Sequence, residues 1–339
     1  MNRWSSVHAR VHQTLRQRQL LPKGDRLLLA VSGGQDSLCL AQLLLDLQPK
    51  WGWILGVAHC DHGWREDSRA NAEYVETLTK RWQMPFYLQA ASHQALKNEA
   101  QARQWRYEAL KAIADEHEYC TIVTGHTQSD LAETFLFHAI RGTGADGLQA
   151  IAWERFLEGG IRLVRPLLGV SRWETEAFCH QADIEVWEDA TNRDLKYSRN
   201  RIRQELLPYL QTHFNSSVEQ HLARTAELLR ADVEFLQAEA QGLLESSIYQ
   251  TDEKVKFSGE KGRTVEAVRL NRRILSAASL GIQRRAMRQL LQQLLPSAPT
   301  FDHVEKLTHL INAPNQARTD PFPGGAIARV EGHWIVIEN

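Results

Sequence analysis

The residues best suited to chemistry form a short glycine-rich turn between an apolar strand and an apolar helix. In such a turn, backbone N–H groups and the positive end of the helix dipole point at a bound anion, so it predicts a phosphate site. The turn holds no lysine, so it is not the P-loop of the nucleotide hydrolases and kinases that transfer the γ-phosphate. Its glycine spacing also differs from that of dinucleotide-binding turns. For Asp36 alone, a helix N-cap is the simpler alternative. The turn consists of Ser32, Gly33, Gly34, Gln35, Asp36 and Ser37.

Two further polar clusters follow strands of the same predicted sheet. His59 and His62 end the next strand, and Gly125 and His126 follow a later one. Because the carboxyl ends of parallel strands line the ligand crevice of a doubly wound sheet, we expect both clusters to face the phosphate turn. The two histidines also suit zinc, but no third or fourth ligand lies near them in the sequence. Nucleotide contact is therefore favoured, and satisfied structural histidines remain the alternative.

Asp130 and Glu133 lie three residues apart at the start of a predicted helix, so they share one face. Carboxylates in that position can hold Mg²⁺ or an ammonium group. Helix capping would explain Asp130 but not the deeper Glu133. We expect Asp36 and Glu133 to be exposed crevice carboxylates whose removal costs little stability.

Basic residues flank these clusters. Arg106 suits a phosphate because its guanidinium fork neutralises phosphoryl charge bidentately. Glu99 and Arg103 have the i,i+4 spacing of a surface salt bridge, which is the simpler reading of that pair. Residues 193–203 hold five basic residues among eleven, with Tyr197 and Asn200 between them. This run suits contact with RNA phosphate or nucleotide, and a solvated charged face is the alternative.

The first 190 residues alternate β-rich runs with helical patterns, which indicates a doubly wound, mostly parallel α/β sheet. The predicted strands are Arg26–Ser32, Ile54–Ala58, Phe86–Gln89, Thr121–Thr124 and Leu163–Pro166. The predicted crossover helices are Ser37–Leu47, Ser68–Trp82, His93–His117 and Asp130–Arg141.

After Pro208 the periodicity becomes helical, which predicts a smaller, mainly helical second domain. A long helix runs from Val218 to Leu243, and a polar loop spans Thr251–Thr264. Later segments are the helices Leu280–Leu295 and Phe301–Ile311 and a hairpin of Ile327–Val330 with Trp334–Ile337. We place the domains at 1–212 and 213–339.

The composition and charge of the chain limit the kinds of partner that it can bind. The 339 residues carry 40 Lys and Arg against 41 Asp and Glu, so a nucleic-acid surface requires local clustering. Residues 260–290 supply such a cluster, although a solvated basic face is the alternative. No apolar run is long enough to span a membrane, and no secretory signal is evident, so we expect a cytoplasmic protein. The basic residues are Lys261, Arg263, Arg269, Arg272, Arg273, Arg284, Arg285 and Arg288.

The ordered motifs resemble one family. The turn is similar to the SGGxDS loop of PP-loop ATPases, which cleave ATP between its α- and β-phosphates. The segments VAHCDHGWR, EAQARQWRY, TGHTQSDLAET followed by RGTGADGL, and EDATN followed by RNRIR resemble those of the tRNA(Ile)-lysidine synthases, a branch of that superfamily. The resemblance covers residues 26–208 and weakens beyond 215.

The resemblance implies a reaction. The family converts the wobble cytidine of a CAU-anticodon isoleucine tRNA into lysidine, using ATP, Mg²⁺ and L-lysine and releasing pyrophosphate and AMP. Asp36 would then bind Mg²⁺, Asp130 and Glu133 would bind the lysine cation or take its proton, and Arg106 would contact the triphosphate or the adenylated product. ATP contacts would come from the Ser32–Ser37 turn, His59, Gly125 and His126. Substrate or tRNA contacts would be Arg103, Arg141, Arg199, Asn200, Arg203, Arg284, Arg285 and Arg288.

One departure from the family pattern is clear, because Ser129 stands where the family usually has the first Asp of a pair. Function is therefore carried over only to Asp130 and Glu133. Three alternatives are open: a tRNA thiolase, which would need a CxxC pair that the four cysteines do not form; an amidating synthetase, which would need an ammonia source; and a non-catalytic RNA-binding protein. A homodimer is also left open.

Overall fold

A computed structural model describes residues 4–63, 67–91, 99–187, 195–249 and 268–338. The chain divides into two compact units, Met1–Leu228 and Leu229–Asn339. Within the described ranges, none of the helices combines the length and the apolar character needed to cross a membrane.

The first unit is built on a six-stranded sheet. Its strands are β1 (Arg26–Ala30), β2 (Ile54–Asp61), β3 (Phe86–Ala90), β4 (Thr121–Thr124), β5 (Glu154–Phe156) and β6 (Arg162–Val164). Its helices are α1 (Ser6–Arg18), α2 (Gln35–Trp51), α3 (Ser68–Arg81), α4 (Glu99–Glu116), α5 (Gln128–Ile140), α6 (Ala145–Leu148), α7 (Arg172–Gln181), α8 (Ser198–Arg201) and α9 (Leu207–His213). A π-helical turn, Ile202–Leu206, joins α8 to α9, and α10 spans Val218–Ser247.

The strands lie in the order β3-β2-β1-β4-β6-β5, all parallel except β5, which runs antiparallel to β6. The predicted doubly wound, mostly parallel sheet is confirmed. β1 is central, and Leu27, Leu28 and Leu29 are fully buried because both faces of a parallel sheet are covered by helices. The chain winds outward from β1 in both directions, so the crevice opens between the ends of β1 and β4.

Several elements of this unit were not predicted from the sequence, namely α1, β5, α6, α7, α8 and α9. In α1, Val7, Val11 and Leu15 lie four residues apart and are buried against the sheet layer. β5 has three exposed residues and no apolar alternation, so it carries no strand signal. The helix expected to start at His93 is described only from Glu99, because residues 92–98 lie outside the described ranges.

The first unit continues to Leu228, beyond the boundary placed at 212. Ala223 and Ala226, early in α10, pack in one cluster with Leu131 and Leu168. The start of α10 therefore belongs to the core of the sheet unit.

The second unit contains the rest of α10 and an antiparallel sheet in the order β7-β9-β8. The expected hairpin is present as β8 and β9, and β7 adds a third strand. The loop expected at Thr251–Thr264 lies outside the described residues. The elements are β7 (Val268–Asn271), α11 (Arg272–Ser276), α12 (Leu280–Leu294), α13 (Phe301–His309), β8 (Ile327–Glu331) and β9 (Trp334–Glu338).

Candidate active site

A cavity of about 510 Å³ opens at the ends of β1, β2 and β4. It brings together residues from the phosphate turn and from the segments VAHCDHGWR, EAQARQWRY, TGHTQSDLAET and RNRIR. Gly33 and Arg141 are not in its lining, no residue of RGTGADGL contributes to it, and the segment EDATN lies outside the described residues. Arg141 instead lies with its guanidinium 4.6 Å from the ring centre of Phe137. The predicted residues that line the cavity are Ser32, Gly34, Gln35, Asp36, Ser37, His59, Arg103, Arg106, Gly125, His126, Asp130, Glu133, Arg199, Asn200 and Arg203.

The phosphate turn is held open by its own side chains. Ser37 Oγ accepts from the Ser32 N–H (3.1 Å) and donates to the Gly34 carbonyl (2.9 Å). Gly33 has φ of +89°, a conformation that favours glycine. Gly34 is the N-cap of α2 and offers no side-chain cap, so the first-turn N–H groups of α2 are left for a ligand. The turn therefore fits a pyrophosphate group.

Asn71, which sequence reasoning missed, fixes the turn from the side. Its Nδ2 donates to the Ser32 carbonyl (2.9 Å). Its Oδ1 is buried without a hydrogen-bond partner and lies 2.2 Å from where a Cβ on Gly33 would stand. Gly33 must therefore lack a side chain, and a ligand hydroxyl can satisfy the Asn71 oxygen.

Asp36 lies in the first turn of α2 with only 16% of its side chain exposed, so the expectation that it is an exposed crevice carboxylate was wrong. Thr175 Oγ1 donates to Asp36 Oδ1 (2.5 Å), and Arg172 Nε lies 3.9 Å from Oδ2. Burial raises the pKa of Asp36, and Arg172 opposes that rise. The described side chains include no group of three metal-ligating residues. A single carboxylate beside a phosphate turn nevertheless fits Mg²⁺, which takes few protein ligands and completes its shell with substrate phosphates and water.

The carboxylates of α5 meet a guanidinium. Arg203 bonds Glu133 bidentately, through Nε (2.5 Å) and Nη2 (2.8 Å), and its Nη2 also reaches Asp130 Oδ1 (3.2 Å). Asp130 Oδ2 accepts from the Thr127 N–H (2.8 Å) in a capping box. Glu133 is 2% exposed, so the expectation of an exposed crevice carboxylate was wrong. The reason is Arg203, 70 residues further along the chain, which makes burial of the charge tolerable.

The environments of the two carboxylates push their pKa values apart. Burial raises the pKa of Glu133, and Arg203 only partly offsets it. Burial also acts on Asp130, but the His126 ring, the Thr127 N–H and Arg203 outweigh it and hold its pKa below the usual value. Such divergence is typical of pairs in which one group stays ionised and the other exchanges protons.

The two histidines differ in role. His59 is 2% exposed and its Nδ1 donates to the Val31 carbonyl (2.8 Å), which fixes its tautomer. Arg106 donates to His62 Nε2 through Nη2 (3.1 Å). Burial, assisted by Arg106, lowers the pKa of His62 to about 4, so this ring is a neutral acceptor that orients Arg106 at neutral pH.

Ser129 links α5 to the helices α7 and α10. It is 6% exposed; its Oγ donates to Glu219 Oε2 (2.7 Å) and accepts from the Arg172 N–H (3.2 Å). Arg172 begins α7 and lines the cavity. Its sequence signal was the capping box that Ser171 and Glu174 form at that helix start. Other cavity residues that the site prediction omitted are Tyr107, Trp187 and Tyr197.

The arginines of the second unit that were predicted to contact tRNA, Arg284, Arg285 and Arg288, lie on α12. Arg284 forms a bidentate pair with Glu305 (2.6 and 2.8 Å), and Leu290 and Leu291 face the core. Arg272 serves the fold, because it donates to the carbonyls of Ile311, Ala313 and Gly332. Lys261 and Arg263 of the basic cluster lie outside the described residues.

The fold and the lysine-free phosphate turn define a PP-loop ATPase. In agreement, residues 5–210 match the PP-loop domain family, and residues 270–334 match the family described as the TilS substrate binding domain. A tRNA(Ile)-lysidine synthase of Nostoc sp. is 56% identical over 99% of this chain and 98% of its own length. That of Synechocystis sp. is 46% identical over 98% and 97%. A chloroplastic one from Zygnema circumcarinatum is 33% identical over 88% and 78%.

The chain belongs to the tRNA(Ile)-lysidine synthase family, and it is an enzyme of the ligase class. Among solved structures, a U34-tRNA thiolase from Methanococcus maripaludis with its 4Fe–4S cluster has a TM-score of 0.56 at 15% identity, covering 66% of this chain and 78% of its own. That likeness concerns the fold alone.

Replacing Glu133 with Ala should destabilise the first unit, because it removes the bidentate partner of Arg203. We expect a loss of about 1–3 kcal/mol in the free energy of unfolding. The matched control is Glu305→Ala, since the Arg284–Glu305 pair has the same bidentate geometry but is more exposed and should cost about 1 kcal/mol or less. Urea denaturation measures both. Equal losses in the two variants would show that burial of Glu133 is not decisive.

Replacing Gly125 with Ala should abolish ATP binding while the chain still folds. The new Cβ would lie 2.8 Å from the Asp36 carbonyl oxygen and 3.0 Å from the Ser37 nitrogen, so the phosphate turn has to shift. Gly242→Ala is the control, because nothing lies within 4 Å of its Cβ position. Equilibrium binding of ATP is the measurement. Wild-type affinity in Gly125→Ala would contradict the close packing of the two turns.

Proposed function

We propose that the chain ligates L-lysine to C2 of the wobble cytidine of a CAU-anticodon isoleucine tRNA. The reaction would pass through an adenylated cytidine and release pyrophosphate and AMP. The observation that carries this proposal is one cavity that contains both an uncapped phosphate turn and the carboxylates of Asp130 and Glu133, a pair suited to an amine.

On the phosphate side, the cytidine O2 attacks the α-phosphorus of ATP, and the bond to the β-phosphate breaks. The first-turn N–H groups of α2 and the hydroxyl group of Ser32 then donate hydrogen bonds to the departing pyrophosphate. The Ser37 hydroxyl, which donates to the Gly34 carbonyl, would have to rotate to join them. Arg106, oriented by His62, neutralises phosphoryl charge from α4. Mg²⁺, held at Asp36, would supply further neutralisation of the phosphate charge.

On the amine side, the ε-nitrogen of lysine bonds to C2 as the C2–O bond to AMP breaks, and the amine loses its proton. Asp130, with its lowered pKa, suits the role of a permanent anion for the lysine cation. Glu133, with its raised pKa, suits the role of proton acceptor. Arg203 already bridges both groups, so lysine must displace it from at least one carboxylate oxygen.

The RNA side of the proposal rests on chemistry and on the match to a substrate binding domain. A base in an anticodon loop is unpaired and can be splayed into a cavity. Arg199 and Asn200 line that cavity and would contact the nucleotide. The CAU preference, the contacts of Arg103 and Arg141, a homodimer and a cytoplasmic location stay predictions.

We expect AMP and pyrophosphate, and no ADP, when the protein meets ATP, L-lysine and an unmodified isoleucine tRNA transcript. The reason is that the phosphate turn has no lysine to assist γ-phosphate transfer. Product chromatography and nucleoside analysis of the tRNA with radiolabelled lysine give the readout. The control reaction omits lysine. ADP with free phosphate would overturn the ATPase chemistry, and an unchanged nucleoside would favour a thiolase or a non-catalytic RNA-binding protein.

We also propose that Arg284, Arg285 and Arg288 contact tRNA phosphates outside the anticodon. Changing all three to Gln should weaken tRNA binding and reduce the slope of log K against log salt by about two to three units, at about 0.7–0.9 per lost contact. Arg329→Gln is the control, since Arg329 is exposed and paired with Glu331 and Glu338 in the same unit. An unaltered salt slope in the triple variant would show that these three arginines of α12 form a solvated basic face that does not contact tRNA.

A further inference from the structure

Tyr107 of α4 is surrounded by arginines that the proposed chemistry does not use. The guanidinium of Arg155 lies 4.7 Å from the centre of the Tyr107 ring, and that of Arg103 lies 5.4 Å from it. Arg165, which follows β6, is near enough to the Tyr107 hydroxyl to lower its pKa. Three positive charges therefore converge on one phenol, and Tyr107 and Arg103 also line the cavity.

Carboxylates do not balance this charge. In the parts of the chain that the structure describes, no ion pair joins Arg103, Arg155 or Arg165 to an acidic side chain. Arg165 is 3% exposed; its Nη1 donates to the Ala152 carbonyl (2.7 Å), while its Nε is buried without a hydrogen-bond partner. A buried guanidinium with an unused N–H is costly unless an anion completes it.

The positive charge of these arginines also lowers the pKa values of two side chains, Tyr107 itself and His126. Burial by itself would raise the pKa of Tyr107, yet Arg103, Arg165 and Arg155 together bring it below the usual value of a tyrosine. Burial lowers the pKa of His126 to about 3, and Arg165, Arg103 and Arg106 add to that effect against Asp130.

The cluster is set apart from the phosphate turn. Arg165 follows β6 and Arg155 lies on β5, whereas the turn follows β1. Strands β1 and β6 are separated by β4, so their ends lie two strand spacings apart, about 10 Å. An anion here is not the pyrophosphate that the turn would bind. Since Arg155 is exposed on the edge strand, the cluster leads from the cavity to the sheet edge.

We propose that Arg103, Arg155, Arg165 and Tyr107 form a cradle for a backbone phosphate of the RNA substrate, beside the nucleotide that enters the cavity. The chemistry is that of a phosphodiester anion, held by guanidinium forks and a phenol hydroxyl. That the RNA is a tRNA rests on the proposed function. The cradle begins inside the cavity and ends at the exposed strand β5. This elongated shape suits the backbone of an extended RNA strand better than it suits a compact triphosphate.

The test uses Arg155→Gln, because Arg155 is exposed and its replacement strands no buried group. Binding of the unmodified tRNA transcript is measured at several salt concentrations, and binding of ATP is measured separately. We expect tRNA affinity at low salt to fall several-fold, the salt slope to fall by about 0.7, and ATP affinity to stay unchanged. Arg81→Gln, at an exposed position in the last turn of α3, is the control and should bind both ligands like the wild type.

The outcomes separate the cradle from the proposed reaction. An unchanged tRNA salt slope in Arg155→Gln overturns the cradle, and so does a loss of ATP affinity with normal tRNA binding, which would assign the anion to ATP. If the wild type forms lysidine while the variant binds tRNA normally, the cradle alone is lost. If tRNA binding depends on Arg155 but the wild type forms no lysidine, the cradle stands and the proposed reaction falls.

Discussion

The site depends on one close backbone approach, where the turn after β4 meets the turn after β1. A Cβ on Gly125 would stand 2.8 Å from the Asp36 carbonyl oxygen, so only glycine lets the two turns touch. Parallel pairing of β1 with β4, from Leu27–Thr121 to Ala30–Thr124, delivers both turns to the same edge. The phosphate turn and the carboxylate helix α5 are thereby built as one surface.

The protein itself offsets part of the negative charge within that surface. Arg203 bridges Glu133 and Asp130, and Arg172 lies near Asp36. Each of these carboxylates is at least partly desolvated. Exchanging the cation that pairs with such a carboxylate therefore costs less free energy than leaving the carboxylate unpaired in the cavity. A cationic substrate that replaces Arg203 frees its guanidinium, and an anionic substrate nearby can then take that guanidinium up. Under the proposed function, the release of Arg203 would couple the binding of lysine to that of phosphate.

Sequence patterns predicted those parts of the fold and of the site that are formed by residues adjacent in the chain. The β1–turn–α2 and β4–turn–α5 segments were readable because each places a strand, polar residues and a helix in immediate succession. The burial of Glu133 was not readable, because its partner Arg203 comes from a π-helical turn 70 residues later. The cluster around Tyr107 was equally hidden, since Arg155 lies on a strand with no apolar alternation. Long-range partners decide burial, and a single sequence does not display them.

Ser129, which stands where the family resemblance leads one to expect an aspartate, contacts a carboxylate of α10. A serine is shorter and uncharged, so its hydroxyl can donate to Glu219 while accepting from the Arg172 N–H. A carboxylate is thus present at this junction, but a different helix supplies it. Trp153 Nε1 donates to Glu227 (2.9 Å) further along α10, which ties the same helix to the edge of the sheet. These contacts explain why the first unit keeps the start of α10, and they link the position of Arg172, beside Asp36, to a helix that no motif of the sequence marks.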